Sequence, residues 1–430
     1  MCGIAGVLNF KGGGVPELGR RLGRLDELVA HRGPDGSGVW ESPDQQVGLV
    51  HRRLAIVDLS TNGHQPMVSP AGHVLVFNGE IYNFRELRKL YESRWTFRST
   101  SDTEVILAGY ALEGKKVVER LRGMFSFVLW DMTAKKLFGV RDRLGIKPLY
   151  YTTQGPLFYF ASEAKALLSF LPQIETNPEA LSQYLGLNFT MDGSTLFSGI
   201  RELQPAQAVE INNEQIRFST YWSDVGEPDF EVPDKDAVPA IAELIELSVH
   251  EHLAGDVEIG AYVSGGIDSS LIFSLARQQD DRVEKAFNGR FTEYEGYDES
   301  GFAHDVTQRV GGDLQVRDIV HRDFEVNIRN LIYHLDFPVA GPGAFPQFVI
   351  SEFAASQVKV VLGGQGGDEI FGGYARYLIA YLEQCLAAAI DGSVDRGKFV
   401  VTLESMLPNL GILSEYKPLI QSFWSSNLFG

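Results

Sequence analysis

The chain has 430 residues, 44% hydrophobic and 22% charged, enough for two or three domains at roughly 150 residues each. Its 38 basic and 56 acidic residues leave a formal charge of −18, which repels nucleic acid and anionic membranes, so neither is an expected partner. No apolar run approaches the ~20 residues of a membrane span, and the chain does not open on a basic-then-apolar leader. Two cysteines, Cys2 and Cys385, with no CxxC pair, suggest neither a disulfide framework nor a zinc site, and a cytoplasmic protein is expected.

Residues 1–210 read as short β-rich runs. Gly3–Phe10, Gln46–Leu49, His73–Phe77, Met124–Asp131, Lys136–Val140 and Leu157–Ser162 are apolar or alternating, with Gly, Pro or Asp turns between them. Pro16–Ala30 repeats Leu18, Leu22, Leu25 and Leu28 at helical spacing, and Ser101-Asp102 would cap a helix over Asp102–Leu112. Residues 211–239 are expected to connect two domains. Their last part, 223–239, is acidic, and Pro228, Pro233 and Pro239 should break regular structure there. The pattern then changes, and 240–430 reads as a second domain. Helices are expected over Ala237–Ala254, Asp268–Gln279, Phe302–Val310 and Phe345–Ser356, and buried-type strands over Glu258–Val263 and Lys359–Leu362. Alternation of this kind predicts an α/β parallel sheet.

Met1 precedes a small residue, so its removal is expected to expose Cys2 as the N-terminus. A thiol (reference pKa ~8.5) beside a free α-amine (~8) is a compact pair of nucleophile and base. The residues around it occur in blocks: Cys2-Gly3-Ile4-Ala5-Gly6, Arg32-Gly33-Pro34-Asp35-Gly36, His51 to Asp58, Asn78-Gly79-Glu80-Ile81-Tyr82-Asn83 and Ser101-Asp102-Thr103-Glu104. In this order and spacing they resemble the class II glutamine amidotransferases, over roughly the first 200 residues. The resemblance implies an α+β N-terminal-nucleophile domain, an αββα sandwich. It implies that Cys2 attacks the side-chain amide of glutamine, with the Asn78 side chain and the Gly79 N–H as oxyanion hole. Arg53 would pair with the α-carboxylate of glutamine. Glu80 and Asp102 would hold its α-ammonium, and Ile56, Val57 and Asn78 would complete the site.

A second cluster, Ser264-Gly265-Gly266-Ile267-Asp268-Ser269-Ser270, follows a predicted strand ending at Val263 and opens a predicted helix. Glycines allow a tight turn whose N–H groups converge, and the helix N-terminus adds partial positive charge, so the loop can cradle phosphates. A Walker A pattern is absent. The loop resembles the SGGxDS motif of ATP pyrophosphatases. Gly363-Gly364-Gln365-Gly366-Gly367-Asp368-Glu369 ends another predicted strand, at the edge where α/β folds place ligands. With its first half included, the chain resembles the glutamine-hydrolysing asparagine synthetases. That implies ATP held by Val263, Ser264, Gly265, Gly266, Asp268, Ser269, Ser270, Gly363 and Gly364, and Mg2+ ligated by Asp268 and Asp368. Glutamine, ATP and aspartate are the implied substrates, and a homodimer is a conceivable assembly. The acceptor stays open: another carboxylate, as in antibiotic, peptide or cell-surface sugar biosynthesis, fits the same motifs. So does a glutaminase carrying a non-synthetic nucleotide-binding stub. Gln365 stands where well-known members carry Glu. A downstream Arg-Val-Pro-Phe-Leu-Asp-like run with its following Lys is not found, so the second domain is expected to be incomplete at its C-terminus.

Overall fold

The computed structural model describes residues 1–212, 215–223, 233–293, 298–338 and 343–374, together with 376, 377, 380 and 381. Cys385 and residues 224–232 of the expected linker lie outside the described residues.

The β-rich runs of the first half form two six-stranded sheets. One is ordered Arg201–Glu202, Tyr150–Gln154, Leu157–Ala161, Gly3–Asn9, Val47–Arg53, Gly36–Glu41. The other is ordered Gln215–Thr220, Gln207–Asn212, Lys136–Arg141, Gly123–Asp131, His73–Ile81, Met67–Val68. Neighbouring strands run antiparallel. Alternation of side chains decides the layers. Ile4 and Leu8 enter the space between the sheets with Val74, Val76, Val128 and Trp130. Ala5 and Val7, on the opposite face of the same strand, pack under Leu18, Leu22 and Leu25 of the helix Leu18–Leu28. On the second sheet, Leu75 and Phe77 turn outward to Val105 and Ile106 of the helix Asp102–Glu113. The layers are therefore helix, sheet, sheet, helix, as the resemblance implies. Burying one Val, Leu or Ile side chain stabilises by about 1.5–3 kcal/mol. A one-residue slip of Gly3–Asn9 would exchange its two faces and lose several such contacts. The second sheet continues past residue 210, because Gln207–Asn212 pairs along its length with Gln215–Thr220.

The second half is built on four parallel strands, ordered Asp313–Asp318, Lys285–Arg290, Ile259–Tyr262, Val360–Leu362. The chain builds outward from Ile259–Tyr262 to Asp313–Asp318, then returns to the other side with Val360–Leu362. This places a topological switch point between Ile259–Tyr262 and Val360–Leu362, whose C-terminal ends carry the two glycine clusters. One expectation is corrected here. Pro239 does not break structure: the helix Asp234–His252 begins just after Pro233 and runs through it. Pro239 is the sixth residue of this helix, just past the four whose N–H groups have no helical partner, so it forfeits the one ladder bond that its own N–H would have made. Packing of Val249 and Leu253 into the core below offsets that loss.

The halves meet through charged contacts. Lys359 pairs with Asp35 at 2.7 Å, Glu251 with Arg122 at 2.7 Å and Asp336 with Lys165 at 3.1 Å.

Candidate active site

A cavity of about 310 Å³ opens where the two sheets of the first half meet the second half. All eight residues expected to bind or cleave glutamine line it: Cys2, Arg53, Ile56, Val57, Asn78, Gly79, Glu80 and Asp102. Cys2 sits one residue before the strand Gly3–Asn9, and Asn78-Gly79-Glu80 lies in the strand His73–Ile81 of the facing sheet. Packing the sheets face to face therefore brings Cys2 and the Asn78-Gly79 amides to one wall. The Cys2 thiol accepts from the Leu54 N–H at 3.3 Å, and burial pushes its pKa up. The Arg32 guanidinium donates to the Cys2 carbonyl at 2.9 Å.

Asn78 is fully buried, yet neither polar atom of its side chain has a partner among the described residues. A buried amide left open costs stability, and such exceptions mark places where another group is received. Gly79 is required by close approach. A Cβ there would strike the Met124 carbonyl oxygen and lie 2.6 Å from the Phe125 Cα. Asp102 is the first residue of its helix, capped by Ser101, and its carboxylate accepts from the Ile81 N–H at 2.9 Å. Burial pushes the Asp102 carboxyl up to about 6. Burial also pushes Glu80 up to about 7; the Lys147 charge opposes the rise and Asp102 adds to it. Arg53 donates to the carbonyls of Ser60 at 2.9 Å and Val57 at 3.4 Å, and also to that of Asp58. It is held over the loop that carries Ile56 and Val57.

A second cavity, of about 360 Å³, is lined by Glu80, Tyr82, Met124 and Ile146 from the first half and by Asp268 and Val360 to Gly367 from the second. The two cavities share Glu80, Met124, Val360 and Val361. Of the residues expected to bind ATP, Asp268, Gly363 and Gly364 line this second cavity. Val263 is buried beneath it, while Ser264, Gly265, Gly266, Ser269 and Ser270 form the adjoining loop outside the lining. Gly265 adopts φ 96°, and a Cβ there would strike Phe302 and stand 2.9 Å from the Ala303 nitrogen. The Ser264 hydroxyl accepts from the Gly266 N–H at 3.2 Å and lies 3.0 Å from the Ser269 hydroxyl. The Ser270 hydroxyl is buried without a partner among the described residues. The two glycine loops close on each other: a Cβ on Gly364 would come within 2.7 Å of the Ser269 nitrogen. Asp368, in the short helix Gly367–Phe371, lines neither cavity. Among the described residues no group of three or more His, Cys, Asp or Glu is placed to hold a metal.

Comparison with known proteins agrees with both halves. Residues 1–222 match the glutamine amidotransferase domain family, and residues 240–423 the asparagine synthase family. Asparagine synthetase [glutamine-hydrolyzing] 1 of Bacillus subtilis is 36% identical over 380 residues, covering 88% of this chain and 59% of that protein. A putative asparagine synthetase [glutamine-hydrolyzing] 2 of Methanocaldococcus jannaschii is 32% identical over 415 residues, covering 89% of this chain and 77% of that protein. The chain belongs to the glutamine-hydrolysing asparagine synthetase family. It spans 59% of the length of the Bacillus relative. The solved glutamine phosphoribosylpyrophosphate amidotransferase from B. subtilis aligns at 16% identity and a TM-score of 0.40, covering 74% of this chain and 81% of that one.

Within this asparagine synthetase family member, several wall residues escape a reading of motifs. Lys147 is buried beside Glu80, and burial pushes its pKa down. Gln65 accepts from the Phe77 N–H at 2.7 Å and donates to the Thr103 hydroxyl at 3.2 Å, so it ties the strand His73–Ile81 to the helix Asp102–Glu113. Lys359, Val360 and Val361 close the first cavity from the second half. No spacing in the sequence connects these residues to Cys2. No helix among the described residues is long and apolar enough to cross a membrane.

Proposed function

We propose that this chain is a glutamine-dependent asparagine synthetase, with a glutaminase domain whose expected span, 1–210, is extended by the strand Gln215–Thr220, a short connecting segment, and a synthetase domain that starts with the helix Asp234–His252 rather than at 240. The observation that carries the reading is the shared wall. The cavity containing every expected glutamine residue adjoins, through Glu80, Met124, Val360 and Val361, a cavity at the switch point of the second sheet.

Removal of Met1 leaves the Cys2 amine beside its own thiol. With Met1 in place, burial in this cavity pushes the Met1 amine down to about 6; in the trimmed chain the Cys2 amine would be the base that takes the thiol proton. Arg53 pairs with the α-carboxylate of glutamine, and Glu80 and Asp102 with its α-ammonium. The thiolate attacks the side-chain amide. The open Asn78 amide and the Gly79 N–H receive the developing oxyanion. Ammonia leaves, and the glutamyl thioester is hydrolysed to glutamate.

In the second domain, the loop Ser264–Ser270 cradles the phosphates of ATP at the N-terminus of the helix Ile267–Gln279. Gly363 and Gly364 line the nucleotide pocket. The aspartate side chain attacks the α-phosphate, releasing pyrophosphate and forming an acyl-adenylate. Ammonia arriving across the shared wall displaces AMP and gives asparagine. The acyl-adenylate must be kept from water until ammonia arrives, whereas the thioester needs water for its release as glutamate. Mg2+ would be held by the Asp268 carboxylate, which lines the second cavity against Gly367, with phosphate oxygens and water as further ligands; Asp368, expected as the second carboxylate, stands in the adjoining short helix outside the lining. When bound, the ion would neutralise phosphate charge.

The test is Cys2→Ala in this chain. Glutamine-driven asparagine formation should vanish while ammonia-driven formation persists; survival of both would remove Cys2 from the mechanism. A second reading, the same reaction on another carboxylate, is favoured by Gln365, a neutral amide in the second cavity where well-known members carry Glu. ATP–pyrophosphate exchange across a panel of acceptors separates the two, and aspartate ranking first excludes the second.

A further inference from the structure

The glutamine loop is supported from outside its own domain. Residues 56–58 carry Ile56 and Val57 into the cavity wall, then turn at Asp58, whose φ of 55° lies in the left-handed region. A non-glycine residue holds that conformation only when its surroundings support it; Asp tolerates it better than most. Three supports come from the first half. Arg53 grips the carbonyls of Val57, Asp58 and Ser60. The Asp58 carboxylate accepts from the Ser60 N–H at 3.1 Å. It also accepts from the Thr100 N–H at 2.8 Å, two residues before Asp102.

The fourth support is Asp256, in the turn between the helix Asp234–His252 and the strand Ile259–Tyr262 that leads into the phosphate loop. The Asp256 N–H donates to the Ile56 carbonyl at 2.9 Å, and the Asp256 carboxylate accepts from the Asp58 N–H at 2.9 Å. This two-point clasp is itself braced. Arg282 donates to the carbonyls of Gly255 at 2.5 Å and Leu253 at 3.0 Å, and is pinned by Asp280 at 2.6 Å. A Cβ on Gly255 would stand 3.3 Å from the Ile56 side chain, so the turn lies close against the loop.

We propose that Asp256 is a positioning residue for glutamine, supplied by the second half, which holds the 56–58 loop in its binding shape. It touches no reacting atom. Its effect is on how much of the free protein already has the loop in place, so it acts on KM and leaves kcat alone. This inference rests on the reading of the first cavity as a glutamine site.

The experiment measures glutamate release from glutamine by the full chain and by Asp256→Ala and Asp256→Asn. Losing one hydrogen bond in Asp256→Ala should raise KM about fivefold, with kcat within about twofold of the parent. The Asp58 amide should also exchange with solvent faster. Asp256→Asn keeps an acceptor oxygen toward the Asp58 N–H and should restore KM. An unchanged KM in Asp256→Ala, a fall confined to kcat, or equal defects in both variants overturns the proposal while leaving the glutamine site standing. A parent chain that releases no glutamate removes the reading underneath it, and the proposal with it. Faster exchange at Asp58 without any KM change also overturns it, since the loop would then move without consequence for glutamine.

Discussion

Replacing Lys165 by Met tests the charge network that joins the halves. The Lys165 ammonium lies 2.5 Å from the Glu163 carboxylate and 3.1 Å from that of Asp336, and all three side chains are 6–7% exposed. Glu163 has other partners, His31 at 2.9 Å and Arg32 at 2.8 Å. Burial alone would raise the Glu163 carboxyl, but His31, Arg32 and Lys165 together hold it down at about 2. Among the described residues Asp336 has no second cation in an ion pair. It keeps backbone hydrogen bonds from Ala164, at 2.8 Å, and from Lys165, and burial holds its pKa above the usual value even with the Lys165 ammonium present. Removing Lys165 therefore strands Asp336. Breaking a buried pair costs about 3–5 kcal/mol; because Asp336 can escape by taking a proton, the lower end, about 3 kcal/mol, is expected near pH 8. The sign of the pH dependence follows. In the variant, the folded-state pKa of Asp336 rises further above its unfolded value. An acid shifted this way favours the folded state at low pH and loses that favour as pH rises, so the deficit should narrow from about pH 8 to about pH 5. Glu163 is shifted the other way; its stabilisation is present above its unfolded pKa of 4.5 and lost only as pH falls toward 2, so it holds across that range. Adding Asp336→Asn to Lys165→Met removes the stranded charge and should recover about 1–2 kcal/mol. Urea unfolding followed by tryptophan fluorescence at the two pH values reads all of this. A Lys165→Met variant within about 0.5 kcal/mol of the parent near pH 8, or a deficit that widens on acidification, would refute the argument.

Two further outcomes follow from the first cavity. Gly79→Ala forces a Cβ against Met124 and Phe125 across the strand pair, so it should cost about 1–3 kcal/mol and lower glutamate release at least about tenfold; a parent-like rate would mean that the amide at Gly79 is not part of the oxyanion site. Glu80 at about 7 and Asp102 at about 6 must both be ionised to hold an α-ammonium, so kcat/KM for glutamine should fall as pH drops below about 7 and more steeply below about 6. A profile that stays flat over that range contradicts their assigned role.

Much of the architecture was legible because burial leaves a local record. Ile4 and Leu8 alternate with Ala5 and Val7, and each set meets a different layer. Every residue that the motifs assign to glutamine lines one cavity. Elements without such a record were missed. Lys285–Arg290 and Asp313–Asp318 carry charged residues at both ends and were not readable as strands, yet they form half of the parallel sheet. The helix His321–Leu335 begins with three charged or titratable residues in a row and escaped for the same reason.

By itself, the sequence determined the strand and helix periodicities of the first half and the glycines that permit close approach. It also set the residue types, Cys2, Asn78, Glu80, Asp102 and the Ser264–Ser270 loop, on which the proposed chemistry rests. These are properties of neighbours along the chain, where side-chain direction follows from backbone geometry. Tertiary structure alone decided that Val360 and Val361 separate the two cavities, that Lys147 is buried beside Glu80, and that Asp256 clasps the 56–58 loop. The reason is that charge and hydrogen bonding depend on what lies across a gap and on how much water remains in it. Neither is set by spacing in the sequence.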